Sequence, residues 1–371
     1  MRAKYAHRLS QLAKNPELVK IESSAQWFIE IMNYLASILI LLAASANLFA
    51  KEKLIVLVNP TAGGGKAAEF YFKDVKPRLA THYELHECLE GAWLAIEQAG
   101  DELLSYKGIV GVGGDGTIHQ IYKALRSSKF SHEAVQKLAI GHIPAGTGNA
   151  LARSIFHETC GEASPYSAKA LVEGIALGTS RPIDLWQYET DVDDRGISFL
   201  GLSHGVISDI DIGSESLRPW VGSLRVYLYS VVEWLLNRHY DAKLTLYRDQ
   251  SREVYTQPIR EIWAANIAFA NERVMIAPES RFDDALLHVM YVSAADAGWL
   301  ELARFLMSLA LADVHQLPYV KILKAQALEL ETKGNYQITI DGELLPTSVK
   351  RLTIKKFPVQ GRVFEADCSN L

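Results

Sequence analysis

The stretch Gly108-Ile109-Val110-Gly111-Val112-Gly113-Gly114-Asp115-Gly116-Thr117 decides the fold. Its first half is a short apolar run, as in a buried strand, and it empties into glycines. The pattern recurs on either side. Leu54-Ile55-Val56-Leu57-Val58 runs into Asn59-Pro60-Thr61-Ala62-Gly63-Gly64-Gly65-Lys66, and Ile143 runs into Pro144-Ala145-Gly146-Thr147-Gly148-Asn149-Ala150-Leu151. Helix-like stretches at residues 70–79 and 92–104 and a strand-like Tyr83-Glu84-Leu85-His86 lie between them. Alternating strands and helices predict an α/β nucleotide-binding domain whose parallel sheet gathers ligands at the carboxyl ends of its strands. The glycine loops fall at those ends.

Each loop taken alone is a weak signal. Gly65-Lys66 invites a P-loop reading, which fails because that motif needs glycine where Pro60 stands and Ser or Thr where Ala67 stands. The second loop satisfies G-x-G-x-x-G, yet Asp115 inside the turn would repel a pyrophosphate unless a metal intervened. With Mg²⁺ present, the same carboxylate can accept a proton from an attacking hydroxyl or help hold the metal. Asp beside Gly more commonly bonds only its own turn. Three loops delivered to one crevice are more specific than any one, because phosphate cradles need close backbone approach and donors on several sides.

Past residue 181 the texture changes to short strand-like runs. They include Ile183-Asp184-Leu185-Trp186, Ser198-Phe199-Leu200-Gly201-Leu202, Lys243-Leu244-Thr245-Leu246-Tyr247 and Leu287-His288-Val289-Met290-Tyr291-Val292. They predict a strand-rich second domain, a β-sandwich, interrupted by apolar helices at residues 224–236 and 299–312. The expected division is an N-terminal extension at residues 1–50, a nucleotide-binding domain at 51–180 and a β-rich domain at 181–371, with the active site in the cleft between the last two. A chain of 371 residues, 49% hydrophobic and 22% charged, has material for two cores. A formal charge of -5 without a basic stripe argues against nucleic acid as a partner. Cys88, Cys160 and Cys368 are far apart and odd in number, which indicates neither a disulfide framework nor a zinc site and fits a reducing compartment.

Asn59-Pro60 with its glycines, Gly113-Gly114-Asp115-Gly116-Thr117 and Pro144-Ala145-Gly146-Thr147-Gly148-Asn149 resemble the three nucleotide loops of the diacylglycerol kinase catalytic-domain family, in the family's order. Ala277-Pro278, Arg281-Phe282-Asp283-Asp284-Ala285-Leu286-Leu287 and Asp341-Gly342-Glu343 extend the resemblance through the strand-rich half. Residues 205–225 are similar to the sphingosine kinase branch. The resemblance implies an ATP- and Mg²⁺-dependent lipid kinase acting on the primary hydroxyl of a sphingoid base. It implies Asp115 as catalytic base and Asp211 as the carboxylate for the substrate head group. Nucleotide contacts would come from Asn59, Gly63, Gly64, Gly65, Lys66, Gly113, Gly114, Gly116, Thr117, Gly146, Thr147, Gly148, Asn149, Arg218, Arg225 and Glu343, and metal support from Asp341 and Glu343. Two positions depart from the family pattern: Gln120 stands where a Glu is expected and His204 where a Trp is usual. The rival readings are a diacylglycerol or other lipid kinase of the same fold, an NAD kinase-like enzyme sharing the G-G-D-G-T loop, and a lipid-binding protein without catalysis.

Residues 31–50 are nearly free of charge and about as long as the ~20 residues a spanning helix needs. Ala44-Ser45-Ala46 resembles a signal-peptide cleavage site, while a signal anchor would separate the kinase from ATP. A membrane-surface or packed helix is the third reading, giving membrane contact through residues 27–50. The lipid substrate is expected from a membrane, and the kinase domain is expected in the cytosol or on the ATP-containing side of a membrane.

Overall fold

Leu54, Ile55, Val56, Leu57 and Val58 are all buried, as a strand covered on both faces requires. They lie in β1 (Glu52–Val58), which runs parallel to β2 (Tyr83–Cys88) and β3 (Tyr106–Gly113), with β4 (Ala139–Pro144) parallel to β3. Side chains alternate across the sheet. Ile55, Leu57 and Ile109 meet the helices α1 (Ala92–Ala99), α2 (Asp115–Ser127), α3 (Ser131–Lys137) and α4 (Ala150–Cys160). Leu54, Val56 and Val110 meet the helical segment of residues 67–79 and α5 (Ala168–Leu177) on the other face. This computed structural model describes residues 51–162, 164–222, 224–311 and 314–369, with Met32, Asn33 and Ser37 before them. The remainder of the N-terminal apolar segment, and the three readings of it, fall outside the described residues. Among the described residues no helix is long and apolar enough to cross a membrane.

The second half is a β-sandwich. β5 (Ser180–Ile183) closes the first domain and β6 (Trp186–Thr190) opens the next, so the expected strand at Ile183-Asp184-Leu185-Trp186 is the junction itself. The strands that follow are β7 (Arg195–Ser198), β8 (Gly201–Gly205), β9 (Ala242–Arg248), β10 (Ser251–Tyr255), β11 (Ile259–Ala265), β12 (Leu287–Ser293), β13 (Lys321–Ala325), β14 (Ala327–Thr332), β15 (Ile338–Ile340), β16 (Glu343–Leu344) and β17 (Arg351–Lys356). They form two six-stranded sheets, ordered β10-β9-β14-β17-β6-β7 and β13-β12-β11-β8-β15-β16. Trp186, Tyr188, Leu244 and Leu330 from the first sheet pack on Leu202, Ile262, Val289 and Ile340 from the second. α6 (Val206–Ser214), α7 (Leu224–Leu236) and α8 (Trp299–Leu311) cover the outer face of the second sheet, around Met290, Val292, Leu302 and Phe305.

Two expectations need correction. The last strand, β18 (Gly361–Phe364), returns to the first domain and lies between β4 and β5, so the nucleotide-binding sheet is not confined to residues 51–180. Cys160 and Cys368 form a disulfide across 208 residues of sequence, because this return brings the C-terminal tail to the end of α4. Distance in sequence was no guide to distance in space, and the inference of a reducing compartment loses its premise.

Candidate active site

The three glycine loops converge. Ala145 N–H donates to the Gly113 carbonyl at 2.9 Å, and Asn59 N–H donates to the Val112 carbonyl at 3.0 Å. A Cβ on Gly63 would stand 2.8 Å from the Ala145 carbonyl oxygen, and one on Gly146 2.3 Å from the Gly114 Cα. These contacts place first loop on third and third on second, at a spacing no side chain tolerates. Gly63, Gly64 and Gly65 are exposed at φ values of +60°, +68° and +89°, which turns their backbone away from an ordinary helix and out to solvent. Lys66 beside them is exposed too. Asn59 accepts bonds from the Thr61 N–H and hydroxyl, and its own amide reaches Thr117 Oγ1 at 3.5 Å.

Asp115 opens α2, and both of its carboxylate oxygens are engaged. The Ala150 N–H donates to Oδ2 at 2.9 Å and the Leu151 N–H to Oδ1 at 3.1 Å. It therefore clasps the first turn of α4, joining the second and third loops. A carboxylate has about four lone-pair positions, so capacity to accept a hydroxyl proton remains. Fully buried His142 stands behind it, with Nδ1 3.8 Å from Asp115 Oδ1 and Nε2 3.1 Å from the Gly113 carbonyl. Burial pushes the His142 imidazole below its ordinary value, against the neighbouring Asp115 charge. In the third loop Asn149 adopts the left-handed conformation at φ +56°. Its side chain accepts the Gly146 N–H at 3.0 Å and donates to the Gly146 carbonyl and, at 2.7 Å, to Glu272. Gly148 and Thr147 complete that turn, and Glu272 N–H closes it by donating to the Gly148 carbonyl.

The late acidic motif arrives from the sandwich. Asp341 and Gly342 form the two-residue turn between β15 and β16, which presents Glu343 at the loops. A Cβ on Gly116 would meet Glu343 Oε1 at 2.6 Å. Asp341 does not take the metal-ligand place expected of it. Its buried carboxylate accepts Ser198 Oγ at 2.6 Å and the Leu200 and Gly201 N–H groups at 2.9 and 3.0 Å, and contacts His119 Nδ1 at 3.0 Å. That demand breaks the expected strand through residues 198–202 into β7 and β8, with the intervening amides turned onto Asp341. Between the two domains opens a cavity of about 460 Å³, lined by Glu90, Trp93, His119 and Gln120 on one side and by Tyr188 and Glu343 on the other.

The remaining expected residues separate into two groups. Asp211 is exposed on α6, the segment expected to meet the substrate. Arg225 is buried instead of facing the loops: it donates to Ser214 Oγ at 2.5 Å and pairs with Glu215 at 2.7 Å, tying α7 to the end of α6. The Arg218 side chain lies outside the described residues. Asp209, neighbour of Asp211 in the acidic run, is buried against Tyr240 and Arg238 at 2.7 and 3.1 Å. His204 sits in the sandwich core against Tyr240 and Tyr336, with ring centroids 5.5 and 5.8 Å away, so its departure from the family pattern is one of core packing. Sequence reasoning missed His119, Glu272 and the Glu90-Gly91-Ala92 wall of the cavity. His119 lies two residues past the second motif, whereas Glu272, Glu90 and Gly91 carried no periodic or motif signal.

Among the described residues no group of three His, Cys, Asp or Glu side chains forms a metal cage. Mg²⁺ does not require one, since it is commonly held by one or two carboxylates together with substrate phosphates. Asp115 and Glu343 supply carboxylates at the loops and fit that role.

A parallel-sheet domain with three converging glycine loops, joined to a β-sandwich that returns an acidic turn to them, is the architecture of the diacylglycerol kinase-like lipid kinases. Residues 53–188 match the diacylglycerol kinase catalytic domain, and residues 211–360 match the YegS C-terminal NAD kinase beta sandwich-like domain. The chain belongs to the diacylglycerol kinase catalytic-domain family of lipid kinases. Its curated relatives include sphingosine kinase 1 of Arabidopsis thaliana, 26% identical over 79% of this chain and 68% of the relative, and sphingosine kinase 2 of the same plant, 27% identical over 76% and 65%. Human sphingosine kinase 1 is 25% identical over 79% of this chain and 86% of its own. The chain thus spans about two thirds of the length of the plant relatives. A crystal structure of a diacylglycerol kinase from Bacillus anthracis str. Sterne superposes with a TM-score of 0.61 at 18% identity, covering 85% of this chain and 97% of that one, a likeness of fold.

Proposed function

We propose that this protein transfers the γ-phosphoryl group of ATP to the primary hydroxyl of a sphingoid base. The observation that carries the reading is the junction of Asp115 and Glu343 with three converging glycine loops, beside a cavity large enough for a nucleoside. Phosphoryl transfer asks the protein mainly for positioning and charge stabilisation. The exposed N–H groups of the first loop and Lys66 would cradle the phosphates, and Thr117 and Asn149 would keep the loops in register. Mg²⁺ held by Asp115 and Glu343 would neutralise phosphate charge. Asp115, kept in place by the two α4 amides, accepts the proton of the attacking hydroxyl.

The acceptor class follows from charge and from surface. A sphingoid base carries an ammonium, and the acidic Asp211 on α6 gives it an ion-pairing partner that an uncharged diacylglycerol would not use. The lipid is presented from a membrane. On α7, Leu224, Leu228, Val231 and Leu235 are 61, 51, 52 and 64% exposed, and Trp220 just before them is 85% exposed. A contiguous exposed apolar face of this kind marks a site of contact with lipid or protein.

Transfer of labelled γ-phosphate from Mg-ATP to sphingosine, dihydrosphingosine, diacylglycerol, ceramide and NAD tests the reading. Labelling confined to the sphingoid bases and reduced roughly 10²- to 10⁴-fold in Asp115→Asn is the expected result. Labelling of diacylglycerol would keep the family and replace the substrate.

A further inference from the structure

Glu343 stands on a short edge strand, flanked by the buried Asp341 and Leu345. β16 is a two-residue strand at the edge of its sheet, paired through Ile340↔Glu343 and Thr339↔Leu344, and both of its residues are exposed. The turn before it, Asp341-Gly342, has φ values of +54° and +83°, the two-residue hairpin pattern with both central residues left-handed. Such a hairpin fixes the direction of the chain but does not fix its position against another domain. A short edge strand contributes little stability of its own.

A second attachment lies on α2. Gly116 and His119 are three residues apart and therefore share one helix face. Glu343 rests on Gly116, and Asp341 is joined to His119 by a 3.0 Å contact between Nδ1 and Oδ2 that spans 222 residues of sequence. The His119 ring is nearly buried and its outer edge lines the cavity. The other partners of the Asp341 carboxylate, Ser198 and the Phe199, Leu200 and Gly201 N–H groups, all lie on the β7–β8 segment, with Phe199 N–H reaching the same oxygen as His119 at 3.4 Å. Without the imidazole, Asp341 would keep those partners, and its turn would lose this bond to the nucleotide domain.

We propose that His119 is the positioning residue that holds the Asp341-Gly342-Glu343 turn against α2 and thereby sets the Glu343 carboxylate at the nucleotide. The inference rests on the reading of the cleft as an ATP site. It makes the late acidic motif and the second glycine loop one unit, joined at both ends of a single helical turn.

A double-mutant cycle tests it. Mg-ATP affinity is measured by titration calorimetry on the full chain for wild type, H119A, E343A and the double variant, with kcat and KM for ATP on the lipid acceptor. H119A is expected to weaken ATP binding about tenfold, equal to ~1.4 kcal/mol, and to raise KM more than it lowers kcat. In the E343A background the same change is expected to cost less than about twofold, because contacting residues couple. H119N places an amide N–H near the position of Nδ1 and is expected to restore most of the affinity. If H119A does not fold, H119F, which keeps ring volume without a donor, replaces it in the cycle. Equal losses in both backgrounds, or an H119N variant no better than H119A, would overturn the inference while leaving the ATP site standing. A wild-type protein that does not bind Mg-ATP would overturn both.

Discussion

Asp115 shows how much of a residue's role a sequence can hold. The G-G-D-G-T motif marked it as a candidate base, and the glycines around it are legible because each leaves room for a close neighbour: the Thr117 side chain at Gly113, the Gly146 backbone at Gly114 and the Glu343 carboxylate at Gly116. Its bonds to Ala150 and Leu151 were not legible, since a carboxylate that caps another loop's helix leaves no periodic trace. The same limit hid the buried acids. Glu261 is fully buried on β11, accepting Ser203 Oγ at 3.0 Å and the Ile207 N–H at 2.8 Å. Burial raises its carboxyl well above the ordinary 4.5, outweighing those hydrogen bonds. Glu233 on α7, also fully buried, is raised by burial in the same direction. A raised carboxyl binds its proton in the folded state while the unfolded chain has already lost it. Stability from such a group is therefore complete below the unfolded value and declines as pH rises towards the folded one. Wild-type Tm is expected to carry this decline from about pH 4.5 upward, and Glu261→Gln is expected to flatten it. Thermal unfolding of both proteins across pH 5 to 9 measures this, and parallel curves would show that Glu261 is already ionised.

Most elements were readable as elements. The helices of residues 224–236 and 299–311 and the runs that became β9 and β12 stand where apolar pattern and β-branched composition put them. What failed was membership. The first-turn amides of α4 donate to Asp115, and the helix ends at Cys160, whose disulfide to Cys368 fastens the tail of the chain to the helix that orients the candidate base. Cys88, buried and unpaired, is the free thiol among the described residues. Closing a loop of 208 residues restricts the unfolded chain and contributes about 5 kcal/mol on the chain-entropy view. Reduction, or Cys368→Ser, is expected to lower Tm by roughly 5–15 °C, most visibly when thiol-blocked and oxidised samples are compared. Equal melting temperatures would mean that β18 alone secures the tail.

At the scale of the whole molecule the two domains are not consecutive segments. Glu52–Leu371 clusters as one unit, and β18 is the reason the boundary near residue 181 does not cut it cleanly. β18 lies parallel to β4 through Arg362↔Ala139 and Val363↔Ile140, and antiparallel to β5 through Gly361↔Ile183 and its neighbours. Val363 and Phe364 are 0 and 1% exposed, and a Cβ on Gly108 of β3 would strike the Phe364 ring at 2.7 Å. A piece ending at residue 183 would lack this strand, leaving β4 with an open hydrogen-bonding edge, β5 with no partner and the Phe364 site with a cavity. Phe removal from a core costs about 3–5 kcal/mol by itself, and an unpaired buried edge invites association with other chains. Residues 51–183 expressed alone are therefore expected to be insoluble or partly folded. The same piece with residues 357–369 joined by a flexible linker is expected to regain a cooperative melt and soluble expression. Circular dichroism and size-exclusion chromatography of the two pieces decide between this and an autonomous first domain. If the shorter piece is monomeric and melts cooperatively, β18 is an addition to a finished sheet. If only the longer piece does so, the C-terminal residues complete the nucleotide-binding sheet, and the sandwich sits within it as an insertion between β5 and β18.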